Sequence, residues 1–269
     1  RMSLGILIMG DNRPGEYTNC GGQALATAKP DGYTIMSADN AILAYNEHLF
    51  TKLPFNPEKD FTYVGGISRF PLALVVHPAF EAKTVKEFLA YARANPGKLN
   101  YASPGNGSPH HLAMEMFKNR TKTFLTHIPY RGAAPAQQDV MGGQVPCMFL
   151  DLAAGLPVIT SGKVRALAIG SAKRVAALPD VPTLAEAGVP NAEMLQWFAV
   201  LGPAKLPADI TRRLNTEIAA ILKLPDVAEK IASQGGEIIG GTPESFAAFI
   251  PEDSASWAKL VKDANVRMD

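Results

Sequence analysis

The sequence predicts an α/β protein of two lobes, on three observations. Short apolar runs alternate with helical patterns, the strand-like runs exceed one average sheet, and a helix-rich tail must pack on something already built. A chain of 269 residues with 47% hydrophobic residues buries a sizeable core. Lys+Arg 26 against Asp+Glu 25 leaves a formal charge of +1, so no basic field draws in nucleic acid or an anionic membrane, and any bound anion is recognised locally. No run of about 18 apolar residues predicts a spanning helix. Residues 1–9 are too short for a secretory signal, which a mature secreted chain would have lost. Cys20 and Cys147 lie far apart without CxxC spacing and read as two unpaired small residues.

The apolar run at 4–9 suits a buried strand, followed by a loop rich in Gly, Pro and Asn and a short Ala-rich helix that Pro30-Asp31-Gly32 ends. Further strands are expected at 33–37, 63–68, 72–77, 99–102, 126–129, 145–151, 164–169 and 198–201. A helix over 85–94 has Thr84 and Glu87 at capping-box spacing and Asn95-Pro96-Gly97 to stop it. Others are expected over 109–120, 135–141, 153–161, 208–222, 225–234 and 243–263, the last with Thr242 as N-cap and Pro243 at the first helical position. This alternation predicts largely parallel sheets covered on both faces. Crossings between lobes are expected near His77 and Phe198, giving lobe I over 1–77 and 199–269 and lobe II over 78–198.

The most informative segment is Tyr101-Ala-Ser-Pro-Gly-Asn-Gly-Ser-Pro-His-His-Leu112: a strand, a glycine-containing turn, then Ser108 as N-cap and Pro109 at N1. The amides of Gly105, Asn106, Gly107 and Ser108, with those of the first helical turn, are expected to point to one spot that the helix dipole makes favourable to an anion; the same pattern also suits an ordinary βα turn. His110 and His111 point about 100° apart on a helix and lack partners for a metal set, so one is expected to pack and one to be solvated. After the strand at 126–129, Arg131 or the amides near Gly132 could meet a carboxylate and Tyr130 offers a flat face and a hydroxyl, while a solvated charge is the plainer reading of Arg131. Asp151 could accept a hydrogen bond from a ligand or cap the next helix. Ser37-Ala-Asp-Asn-Ala41 sits at the carboxyl end of a strand, where open sheets bind ligands and where ordinary turns also form. No nucleophile elbow, metal set or phosphate loop accompanies these loops, which favours binding over catalysis and implies no cofactor.

These residues resemble a known family, the Bug-type, tripartite tricarboxylate transporter substrate-binding proteins. The matching stretches are Asn12-Arg-Pro-Gly15, Pro30-Asp-Gly-Tyr-Thr34, Lys52-Leu-Pro-Phe55 with Lys59-Asp-Phe61, Asn95-Pro-Gly-Lys-Leu99, Gly107-Ser-Pro-His-His-Leu112, His127-Ile-Pro-Tyr-Arg-Gly-Ala-Ala-Pro135, Gly142-Gly-Gln-Val145, Leu178-Pro-Asp-Val-Pro-Thr183 and Gly241-Thr-Pro243, in family order over nearly the whole chain. The resemblance implies a periplasmic, non-enzymatic protein of the two-lobed type II binding-protein fold, closing like a flytrap on a carboxylate in the cleft between lobes. The ligand class it implies is a di- or tricarboxylate, an acidic amino acid or an aromatic acid, often held by main-chain amides and water bridges. Carried onto this chain, second-lobe contacts fall at Ser103, Gly105, Asn106, Gly107, Ser108, Tyr130, Arg131, Gly132, Ala133 and Asp151. First-lobe contacts fall at Ala38, Asp39, Asn40 and Ala41, with Phe70 and Gln196 as walls. The implied partner is the integral-membrane permease of a tripartite transporter or, alternatively, a periplasmic sensor kinase; a monomer is the default. The sequence departs from the family in two places. Members usually begin with a strand, a loop of the PFxxGGxxD kind and a helix, and this chain starts at the tail of that helix; if the unit is absent, the first lobe lacks a strand and a carboxylate loop. Glu16 to Cys20 also replaces the glycine-rich run usual after Asn-Arg-Pro-Gly.

Overall fold

One strand runs through both halves of the protein. In this computed structural model, which describes residues 9–11, 19–264 and 266–268, β2 runs unbroken from Phe61–Val76, where two strands are expected. Its first part, Phe61 to Pro71, pairs with β7 (Leu195–Pro203), and β7 pairs in turn with β1 (Met36–Asp39). Its second part, Leu72 to Val76, lies between β5 (Cys147–Asp151) and β6 (Arg165–Ile169). Pro71 is tolerated within the strand because the ladder changes partners there and no N–H is demanded of it. The predicted strand at 4–9, apart from Met9, and the segment 12–18 lie outside the described residues.

The expected parallel character holds only in part. β3 (Asn100–Ser103) pairs in parallel with β4 (Thr126–Pro129) and with β5, whereas every ladder of β2 and the β1–β7 ladder are antiparallel. One inserted strand explains this: β5 and β6 both oppose β2 and therefore run alike, as βαβ connections require, with β2 threaded backwards between them. Strand direction leaves no trace in an apolar run. The run Leu72-Ala-Leu-Val-Val76 does report burial on both faces. Leu72, Leu74 and Val76 pack with Phe88, Phe117 and Phe149, while Ala73 and Val75 pack with Val140, Met148 and Ile169.

Helices form where the local signals place them. After α1 (Asn19–Ala26) and α2 (Asn46–Leu49) comes α3 (Val85–Ala94), where Thr84 Oγ1 accepts the Glu87 N–H at 3.2 Å and the Glu87 carboxylate accepts the Lys83 N–H at 2.7 Å. In α4 (Pro109–Thr121), Ser108 caps the start, and Lys122 at φ 53° ends it. Then follow α5 (Ala133–Met141), α6 (Leu152–Thr160), α7 (Ala208–Leu222), α8 (Pro225–Ser233) and α9 (Pro243–Ala264). A π-helical turn at Ala41–Tyr45 and a short helix at Asn46–Leu49, neither evident from periodicity, follow β1 directly. The first core gathers Trp197, Ala199 and Leu201 of β7 with Phe246, Trp257 and Leu260 of α9. Leu112 of α4 is fully buried in that same core, so α4 belongs to both halves.

At the junction, backbone bonds tie three segments: Leu72 N–H to Met194 O at 2.8 Å, Gly170 N–H to Leu72 O at 2.8 Å and Met194 N–H to Gly170 O at 2.7 Å. The two sheets thus change over between Pro71 and Leu72 on one strand and beside Met194 on the return. A Cβ on Gly170 would lie 2.8 Å from Met194 Cβ and 3.1 Å from Leu72 O. Gly170→Ala is therefore expected to lower unfolding free energy by about 1–3 kcal/mol through overpacking, measured by urea denaturation.

Candidate ligand-binding site

Parallel pairing of β3 with β4 and β5 brings their carboxyl ends to one sheet edge, and a helix starts just beyond each: α4, α5 and α6. The loops are bound to one another. Tyr130 N–H donates to Ser103 O, and Gly132 N–H to Pro104 O, both at 2.9 Å. Asp151 Oδ1 accepts the Ala154 N–H at 2.9 Å as the α6 cap, and Oδ2 stands 3.6 Å from His110 Nε2 on α4. Ser103, Gly105, Asn106, Gly107, Ser108, Tyr130, Arg131, Gly132, Ala133 and Asp151 accordingly share one edge.

The first half meets this edge at the junction. Asp151 pairs with Leu72, two residues from Phe70, and Phe70 pairs with Gln196 on β7. Phe70 is buried, edge-on to Phe198 with ring centroids 6.2 Å apart. Asp39 pairs with Phe198; its carboxylate accepts the Ala41 N–H at 3.1 Å and is bonded by the Gln196 side chain. Burial raises the Asp39 carboxyl above its ordinary range despite these bonds. Asn40, fully buried, donates from Nδ2 to Leu195 O at 3.2 Å, and Ala38 and Ala41 are buried beside it. Ala38 and Asp39 end β1 instead of forming a loop; Asn40 and Ala41 open the π-helical turn.

The amide cradle is narrower than the sequence suggests. Gly105 N–H donates to Ser103 Oγ at 3.1 Å, Gly107 N–H to His111 Nδ1 at 3.0 Å and Ser108 N–H to Gly105 O at 3.3 Å, while Ser108 Oγ accepts the His111 N–H at 3.2 Å. Among the described residues, the amides of Asn106, His110, Ala133 and Ala134 have no such partner. The turn thus uses three of its four amides internally, as buried N–H groups require partners. Tyr130 directs its hydroxyl to Asp139 Oδ2 at 2.7 Å, and burial together with that carboxylate pushes it up to about 12. Arg131 is exposed and makes no ion pair with the described residues.

His110 and His111 both prove buried, at 5% and 7% exposure, contrary to the expected split. The angle between neighbouring residues separates their directions, but each direction meets protein: His110 meets Asp151, and His111 meets the ring of His127 at 4.1 Å and 6°. His127 in turn stacks on Tyr101 at 4.8 Å, and its Nε2 lies 2.6 Å from Ser103 Oγ. No periodicity in the sequence reports this three-ring column. Burial, with Lys118, lowers His111 to about 4; burial, with His111 and Lys118, lowers His127 to about 3, against the opposing pull of Glu115.

A cavity of about 520 Å³ lies elsewhere, lined by Trp197, Phe246, Phe249, Asp253 and Trp257 and sharing neither Gln196 nor Phe70 with the cluster above. Both of its indoles bond Asp253, Trp197 Nε1 at 2.8 Å. Among the described residues no group of His, Cys, Asp and Glu could hold a metal ion, and no helix is long and apolar enough to cross a membrane.

Residues 1–266 match the model of a family described as tripartite tricarboxylate transporter family receptor. The chain is 35% identical over 260 residues to a protein encoded in the tcbD-tcbE intergenic region of Pseudomonas sp. (strain P51), covering 96% of this chain and 77% of that one. It is 34% identical over 267 residues to BugT of Bordetella pertussis (strain Tohama I), covering 99% and 82%. Among solved structures it superposes on Rpa4515 of R. palustris with adipate at a TM-score of 0.91, with 35% identity over 96% of this chain and 86% of that one. For MatC of Rhodopseudomonas palustris with bound malate, the TM-score is 0.84 with 29% identity, covering 92% and 85%. The chain belongs to the tripartite tricarboxylate transporter receptor family. Its fold is the two-lobed α/β fold of periplasmic binding proteins, and it is a binding protein, not an enzyme.

The neutral histidines give a pH test. A histidine near 6.5 when unfolded and near 4 or 3 when folded takes up protons only on unfolding between those values, so stability is full above about 6.5 and falls as pH drops. The limiting slope is about 1.4 kcal/mol per pH unit for each histidine, smaller for the half-buried His127. Asp39 and Asp253, raised by burial, act in the opposite sense, so the difference between proteins isolates the effect. His127→Phe is expected to show a shallower loss of unfolding free energy from pH 6.5 to 4.5 than the unaltered chain, measured in urea at each pH.

Proposed function

We propose that this chain is a periplasmic receptor that captures a small carboxylate where the two lobes meet and hands it to the integral-membrane permease of a tripartite transporter. The observation that carries this reading is the gathering of three helix starts at one sheet edge, beside the Asp39–Gln196–Phe70 cluster on the opposing lobe. A helix start contributes about 0.3–1 kcal/mol toward an anion. Amides and dipoles, with Arg131 at the rim, suit a ligand whose charge is recognised locally. The bound adipate and malate of two structural relatives support the same chemistry. Lobe boundaries between Pro71 and Leu72 and near Met194, where strand pairing changes, fit this reading better than His77 and Phe198.

Adipate, malate, other di- and tricarboxylates, acidic amino acids and aromatic acids form the test panel for thermal shift and calorimetry. A binder at a hundred times its Kd is expected to add about 2.7 kcal/mol of stability. Absence of any shift up to millimolar concentration removes the carboxylate reading. For a binder so found, Arg131→Ala is expected to weaken affinity about two- to fivefold, the size of an exposed charge contact, with the unliganded melting temperature unchanged. Ligand-dependent capture of the permease supports the transport role; capture of a sensor kinase alone replaces it.

A further inference from the structure

We propose that His111 and His127 are positioning residues that hold the Ser103–Ser108 loop in its binding shape, neither touching the ligand. The inference rests on the reading of this loop as a carboxylate site. Two pins define the turn. His111 Nδ1 accepts the buried Gly107 N–H at 3.0 Å, and Ser103 Oγ, 2.6 Å from His127 Nε2, accepts the Gly105 N–H at 3.1 Å. Between them lies Asn106, whose amide remains available, followed by that of His110.

The pins are themselves fixed. The rings of His111, His127 and Tyr101 stack in sequence, and the Tyr101 hydroxyl donates to Glu115 Oε1 at 2.6 Å, as does Lys118 Nζ. The column therefore runs from the floor of the second lobe to the tip of the loop, where Gly107 at φ +72° packs against Leu49 and Met268. A Cβ at Gly107 would sit 3.2 Å from Leu49 Cδ1 and 3.3 Å from Met268 Cγ, so the turn has little room to move.

The natural rival is that a cationic histidine attracts the carboxylate directly. The hydrogen bonding opposes it: with Nδ1 accepting from Gly107, His111 carries its proton on Nε2, and a second proton would set donor against donor. The groups facing His111 are Glu115 at 3.8 Å, Lys118, and the rings of His127 and Tyr101. Lys118 disfavours the charged form, and Glu115 is shared among Tyr101, Lys118 and His111. A neutral acceptor is what the turn needs, because an orphaned buried amide costs about 1–3 kcal/mol.

The test compares His111→Phe, which keeps the ring stack without the acceptor, with His111→Asn, whose amide oxygen can replace Nδ1. Hydrogen exchange of the 103–108 segment is measured on the unliganded proteins, and adipate and malate titrations follow by calorimetry. His111→Phe is expected to speed exchange and weaken affinity by about tenfold each, the ratio equivalent to about 1.4 kcal/mol, and His111→Asn to restore both to within about threefold. Unchanged exchange in His111→Phe overturns the proposal, whether or not either acid binds. Lost affinity with normal exchange also overturns it, since His111 would then act on the ligand itself. If neither acid binds the unaltered protein, exchange alone decides this inference, and the carboxylate reading fails separately.

Discussion

Everything at the candidate site depends on β2 serving two sheets. A strand that pairs with β7 up to Pro71 and with β5 and β6 from Leu72 onward fixes the distance between lobes at the place where their polar groups meet. Because Asp151 pairs with Leu72 and Gln196 with Phe70, contributions from both halves lie within two residues of the changeover. The bonds among Leu72, Gly170 and Met194 close that point with backbone alone. Backbone pairs cannot drift as exposed ion pairs do, so the opposing surfaces keep their register whatever the side chains around them become.

The candidate site gathers polar groups with little formal charge of its own. Helix starts and loop amides dominate, and the carboxylates at its border are each managed differently. Burial raises Asp39 and so favours its proton, whereas Asp151 is pushed up by burial but held lower overall by His110 and by backbone amides. On the proposed reading, a ligand anion would meet a region where one acid tends to neutrality and the other is already engaged. Recognition of that kind would fix the sign of the ligand and leave its body to apolar walls, the role proposed for Phe70.

Local rules made much of this legible. Ser108 before Pro109, Thr84 before Glu87 and Asp151 after an apolar run each announce a helix start, and all three cap as their chemistry dictates. What escaped was nonlocal. Proline at 71 reads as a break until its neighbours show that no N–H is required, and the reversed direction of β2 has no sequence signature. Apparent donors at Gly105 and Gly107 are consumed by Ser103 and His111, the second four residues away and useful only once a helix turns it back. His127 is farther still, brought beneath the loop by a parallel ladder that pairs Tyr101 with it directly.

α4 gives the arrangement its mechanical sense. Its first turn supplies the amide of His110 and the ring of His111 to the loop, while Leu112 of the same turn and Met116 of the next pack with the first-lobe core around Leu49, Trp257 and Leu260. A close-packed core transmits displacement because voids and strain are both costly. A shift of the α4 start would therefore move Leu112 within the first-lobe core or be resisted by it. On the proposed reading, the helix that would present the loop to the ligand is thus also a packing contact with the first-lobe core.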